Sequence, residues 1–160
     1  MTHRSLLASL AAGAVAAGAV AGAAAANHPA QVAYAAKLAA LEASGVTGTA
    51  RLLDKPGKGR DVLTVRVRGL TPRTAYAFHL HETDEPGNPC LEGHDAEHGH
   101  EEHGPVAGWR PSKLKANAKG RAVATARARG FERHAGETLW VDVETAGGEV
   151  VACGVLKPRR

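Results

Sequence analysis

Downstream of its first thirty or so residues the chain alternates apolar and polar positions in short runs broken by turn residues. No helical periodicity lasts more than a few turns, so the pattern predicts an all-β domain. Val46 to Leu53 ends at Lys55-Pro56-Gly57-Lys58-Gly59, and Val62 to Arg68 sets Leu63, Val65 and Val67 against Thr64, Arg66 and Arg68. Gly69-Leu70-Thr71-Pro72 predicts the next turn, and Ala75 to Glu82 the next strand, with Tyr76, Phe78 and Leu80 facing inward. Further strands are predicted at Ser112 to Asn117, Arg121 to Arg129, Thr138 to Thr145 and Glu149 to Leu156. A first strand within Ala33 to Glu42 brings the count to eight, although Tyr34 to Leu41 would also make a short helix. Eight short antiparallel strands suit a sandwich or flattened barrel.

Residues 83 to 111 interrupt this rhythm. They are polar and rich in glycine and proline, with Pro86, Pro89 and Pro105 among them, and cannot fold a core of their own. A loop of that length in a compact domain tends to carry function.

The amino-terminal residues read differently. Arg4 precedes an Ala/Gly/Val/Leu run from Leu6 to about Ala21, and Ala24-Ala25-Ala26 offers a small-residue cleavage site. Residues 1–26 are therefore expected to be a secretory signal peptide, leaving residues 27–160 as one domain in the cell envelope or outside the cell. A retained membrane anchor is the alternative, but the run lacks roughly 20 strongly apolar residues, so no anchor is expected after cleavage. In an exported protein the isolated pair Cys90 and Cys153 reads as a disulfide in preference to two free thiols.

Charge changes the picture by its distribution. Six of the nine histidines fall between positions 79 and 103, a stretch without lysine or arginine that holds eight carboxylates from Glu82 to Glu102. Arg110 to Arg133 and Lys157, Arg159 and Arg160 are basic, which implies a solvated surface or attraction to anionic envelopes. Aromatic residues are few and are not interleaved with the cations, so no nucleic-acid partner is expected.

The chemistry concentrates on Phe78-His79-Leu80-His81. Imidazoles at i and i+2 on a strand project from one face, where a single metal ion can take both while Phe78 and Leu80 pack behind them. His94, His98, His100 and His103 in the following loop are further candidate ligands. Trp109 and Trp140 read as packing residues or a rim contact, His134 as a surface histidine, and His28 as a neighbour of the new amino terminus after cleavage.

Gly-Leu-Thr-Pro at 69 to 72, Phe-His-Leu-His at 78 to 81, Cys90, His-Gly-Pro at 103 to 105 and Ala-Cys-Gly-Val at 152 to 155 occur in a telling order. In that order and approximate spacing the chain, from about Gly45 to Leu156, resembles the copper/zinc superoxide dismutases. The resemblance implies an eight-stranded Greek-key β-barrel or sandwich, with a disulfide tying the metal-bearing loop at Cys90 to the last strand at Cys153. It makes His79 and His81 copper ligands, His94 the histidine bridging copper to zinc with His98 competing for that role, and His103 a zinc ligand. It also implies superoxide as substrate, and a homodimer is compatible with it.

The chain departs from the family at named positions. The family's remaining zinc ligands would fall near Ala107 to Arg110, where neither histidine nor aspartate occurs, so zinc would need Asp95, Glu97, His98, His100 or Glu101. The fourth copper histidine, expected at the end of the penultimate strand, is missing from Leu139 to Thr145. Val150 stands where the family has the arginine that guides superoxide. Dismutation is therefore expected to be impaired, and the competing expectation is a non-catalytic buffer or scavenger of metal ions.

Overall fold

The computed structural model describes residues 31–55, 60–84, 87–90, 112–128 and 136–159, together with 106, 109, 131 and 134. Its strands are β1 (Val32–Ala40), β2 (Thr47–Asp54), β3 (Asp61–Arg68), β4 (Ala75–Thr83), β5 (Ser112–Lys115), β6 (Arg121–Ala128), β7 (Thr138–Glu144), β8 (Val150–Val155) and β9 (Lys157–Pro158). All pair antiparallel, and the described residues contain no helix, hence none long and apolar enough to cross a membrane.

The eight expected strands are present within a residue or two of their predicted limits, and β9 is a two-residue addition pairing with β1. The ambiguous first segment is a strand. Pairing with β2 runs unbroken from Val32 opposite Asp54 to Leu38 opposite Gly48, and it buries Tyr34, Ala36 and Leu38 on one face. That ladder and that burial together outweigh the helix propensity of the alanines.

The strand order is β5-β4-β7-β8-β1-β2-β3-β6, an all-β antiparallel sheet curled into a nearly closed barrel. Its two edge strands, β5 and β6, are consecutive in the chain. The turn between them is tied by Asn117 N–H donating to Arg121 O at 2.9 Å and Gly120 N–H to Asn117 O at 3.0 Å. Two connections leave their neighbours, β3 to β4 and β6 to β7. The first turns at Gly69 (φ +84°), where a Cβ would lie 2.4 Å from Gly45 O, and Leu70 N–H then donates to Gly120 O at 3.0 Å.

Inward positions fill the barrel with aliphatic side chains, Leu52, Leu63, Val65, Leu80, Leu114, Val141 and Val143, around Phe78. Each such side chain contributes about 1.5–3 kcal/mol by leaving water. Tyr76, Phe78 and Leu80 face this core as the alternation requires, which turns His79 and His81 to the other face of β4.

Most of the long segment between β4 and β5 lies outside the described residues, but the points that fasten it are clear. Cys90 is bonded to Cys153 of β8 across 63 positions, as the sequence implied. Val106 N–H donates to Leu80 O at 3.0 Å, and buried Trp109 meets Phe131 edge to face at 5.9 Å. Chain-entropy arguments assign a bond closing a loop of this size about 4 kcal/mol. Urea unfolding with and without reductant should therefore differ by about that amount, and a difference below about 1 kcal/mol would show that the bond adds little.

Candidate metal centre

The site is built by register. In the β4–β7 ladder His79 lies opposite Asp142 and His81 opposite Trp140, while β8 places Cys153 opposite Asp142 on the far side. His79, Asp142 and Cys153 thus form one cross-strand row on the outer face, and the disulfide brings Cys90 over it. This part of the outer face is closed to solvent, with Asp142 1%, Cys153 1% and His81 8% exposed.

Asp142 is the hub. Its Oδ1 accepts from the His79 backbone N–H at 3.2 Å and lies 3.3 Å from His79 Nδ1, and its Oδ2 lies 2.9 Å from His81 Nε2. Glu144, half-buried two residues along β7, comes within 3.1 Å of His79 Nδ1. The Trp140 ring stacks on His81 with centroids 4.0 Å apart and planes at 11°, and fixes the orientation of that imidazole. The two imidazoles stand edge to face at 5.9 Å.

This contact network sets the protonation of the site. The hydrogen bond to Asp142 raises the His79 value above that of an ordinary histidine, against the opposing effect of burial, and the charges of Asp142 and Glu144 add to the rise. Burial pushes the Asp142 carboxyl up, but hydrogen bonds and charge from His79 and His81 outweigh it and hold the group well below the usual carboxylate range. Burial, reinforced by the neighbouring Asp142 charge, raises Glu144. A cation arriving at the centre competes with protonation of His79.

Ligand atoms of His79, His81 and Asp142 all lie within 4.8 Å of one another, a spacing at which one ion can reach all three. Two imidazoles and a carboxylate form a donor set suited to divalent first-row metals. His79 and His81 were expected from the sequence. Asp142 was not, because in Leu139 to Thr145 it reads as an ordinary outward polar residue of an alternating strand, and only the β4–β7 register brings it to the histidines. His94, His98, His100 and His103 lie outside the described residues.

A second group forms where β4 ends and β7 begins. Exposed His134 donates its backbone N–H to Glu82 Oε1 at 3.1 Å and brings Nδ1 to 3.0 Å from Glu137 Oε2. The Glu137 charge and hydrogen bond raise the His134 value, and burial with the neighbouring Glu137 raises Glu82. The surface position expected for His134 is observed, and its two carboxylate neighbours were unforeseen. Trp109 and Trp140 are both buried, and Trp140 serves the site directly.

No protein-family model matches the chain, and no curated protein matches it either.

Two measurements test this geometry. The stabilisation from protonated His79 is fully present below the unfolded histidine value, about pH 6.5, and is lost as pH rises through the raised folded value. Asp142→Asn should consequently cost the metal-free protein more stability near pH 6 than above pH 8, and a pH-independent cost would contradict the pairing. In a Trp109→Phe background, copper(II) should quench the fluorescence of Trp140 through its contact with His81. Unchanged emission on saturation would place the metal elsewhere.

Proposed function

We propose that this is an exported barrel of the copper/zinc superoxide dismutase type that binds copper through His79, His81 and Asp142, with dismutation retained only at a reduced rate. The observation that carries the reading is the convergence of the two strand imidazoles with the β7 carboxylate. The strand order, with its two departures from neighbour pairing, is compatible with a Greek-key barrel, and the Cys90–Cys153 bond joins the segment after β4 to β8 as the resemblance implies. Export rests on the character of residues 1–26 and is consistent with the disulfide.

Bound copper would supply one-electron chemistry alternating between its two oxidation states. The protein would hold it by imidazole from β4 and carboxylate from β7, with Trp140 and Glu144 fixing the rings. Replacing the family's β7 histidine by Asp142 exchanges a donor suited to both copper states for one that favours the harder, oxidised state. Val150, in place of a cation, leaves the approaching superoxide anion without a fixed positive charge beside the site. Both changes slow turnover and leave divalent-metal binding intact.

A buffer or scavenger of copper or zinc is the second reading, favoured by the acidic, histidine-rich sequence between 79 and 103. Neutral imidazole and carboxylate bind borderline divalent metals without turnover.

Pulse radiolysis of the copper-loaded protein, with metal content measured on the same sample, separates the readings. The expected result is copper at His79, His81 and Asp142 with catalysis far below the diffusion-limited range of about 10⁸–10⁹ M⁻¹s⁻¹. His79→Ala should remove most of the copper and any turnover while the β-sheet circular dichroism persists. Binding with no turnover assigns the protein to buffering. Copper retention by His79→Ala, or its unfolding, overturns the site.

A further inference from the structure

We propose that the outer face of β1, β2, β3 and β6 is a docking surface for an anionic phospholipid bilayer. The proposal stands apart from the metal reading, because it rests on the opposite side of the barrel. In the strand order β2 lies four places from β4, and β3 four places from β7.

The registers define this face as a grid. Lys37, Thr49, Arg66 and Val123 stand side by side in one cross-strand row. The next row holds Thr47, Arg68 and Arg121, and the row on the other side carries Arg51 between Ala35 and Thr64. Arg127, opposite Val62, extends the face at one end of β6, and Lys157 lies beside Ala35. None of the outward positions on these four strands is an aspartate or glutamate. Lys37, Arg51, Arg66, Arg68, Arg121 and Arg127 are all exposed, and none is ion-paired with a carboxylate among the described residues. Arg68 Nε donates to Thr47 Oγ1 at 3.1 Å, which holds its guanidinium along the sheet.

Unpaired cations spread over four adjacent strands present a two-dimensional array, the complement of a planar layer of phosphate headgroups. A shallow groove of about 630 Å³, with Lys37, Thr49, Arg66, Arg68 and Arg121 along it, gives headgroups a place to settle between the cations. Val123 also borders this groove and is 59% exposed, the large apolar side chain most open to water among the described residues. It sits beside Arg66 and Arg121, where an apolar tip can meet the acyl boundary of a bilayer. The described face carries no aromatic side chain on which a base could stack, which favours lipid over single-stranded nucleic acid. Docked this way, the molecule directs its β4–β7 side, and with it His79 and Asp142, away from the membrane.

The test is sedimentation with vesicles, using the chain from residue 27 onward, which contains every described strand and both cysteines. It should bind vesicles containing phosphatidylglycerol at low ionic strength, bind phosphatidylcholine vesicles weakly, and leave the anionic vesicles at about 1 M salt, where the Debye length is about 3 Å. Each cation near an anionic surface accounts for roughly a fivefold change, so Arg66→Glu with Arg121→Glu should weaken binding at least about 25-fold. Arg60→Glu with Arg73→Glu, exposed in the connections at the two ends of the barrel, makes the same change in net charge outside this face and should have little effect. Equal losses in the two double variants would assign the attraction to net charge and overturn the proposal. So would equal binding to both vesicle types, absence of binding, or capture of duplex DNA as tight as that of the anionic vesicles at the same salt.

Discussion

The pairing of β4 with β7 in one fixed register is the constraint on which the rest of the structure depends. A shift by one residue would turn Val141 and Val143 outward and drive Asp142 into the aliphatic interior. The core therefore enforces the alignment of the site. Leu80 and Val141 pack against the interior because His81 and Asp142 project from the opposite face, and the same hydrogen-bonded ladder serves both sides. A buried carboxylate without partners would be costly here, and the two imidazoles and the His79 backbone N–H supply those partners.

The fold was largely legible in the sequence because its signals are local. Alternation in Val62 to Arg68 and Ala75 to Glu82, and turn residues at Gly69 and Lys55 to Gly59, act within a few positions. The first strand was less legible, since alanine-rich residues 33–41 suit a helix until a neighbouring ladder is available to pair with them. The site was half legible. His79 and His81 announce themselves at i and i+2, whereas Asp142 lies 61 residues beyond His81 and gains its meaning only from strand pairing. Nothing along Leu139 to Thr145 distinguishes Asp142 from Glu144 as polar residues of a half-exposed strand, yet one is buried at the hub and the other stands at its margin.

Charge divides the barrel into two unlike sides. The strands around β4 and β7 gather imidazole and carboxylate into a partly covered centre, while β1, β2, β3 and β6 display arginine and lysine without compensating acids. The modest net charge of +4 conceals this separation. An array of like charges on one face can orient a protein toward an oppositely charged surface before contact is made.

Cys153 stands next to Asp142 in the same row, so the covalent state of one residue sets the surroundings of the other. With both thiols reduced, nothing covalent would hold Cys90 over this row. Oxidation fixes Cys90 beside that row, next to the buried carboxylate. One covalent bond thus ties the segment after β4 to the very row that carries the carboxylate, so the redox state of the cysteines and the surroundings of the centre are physically linked.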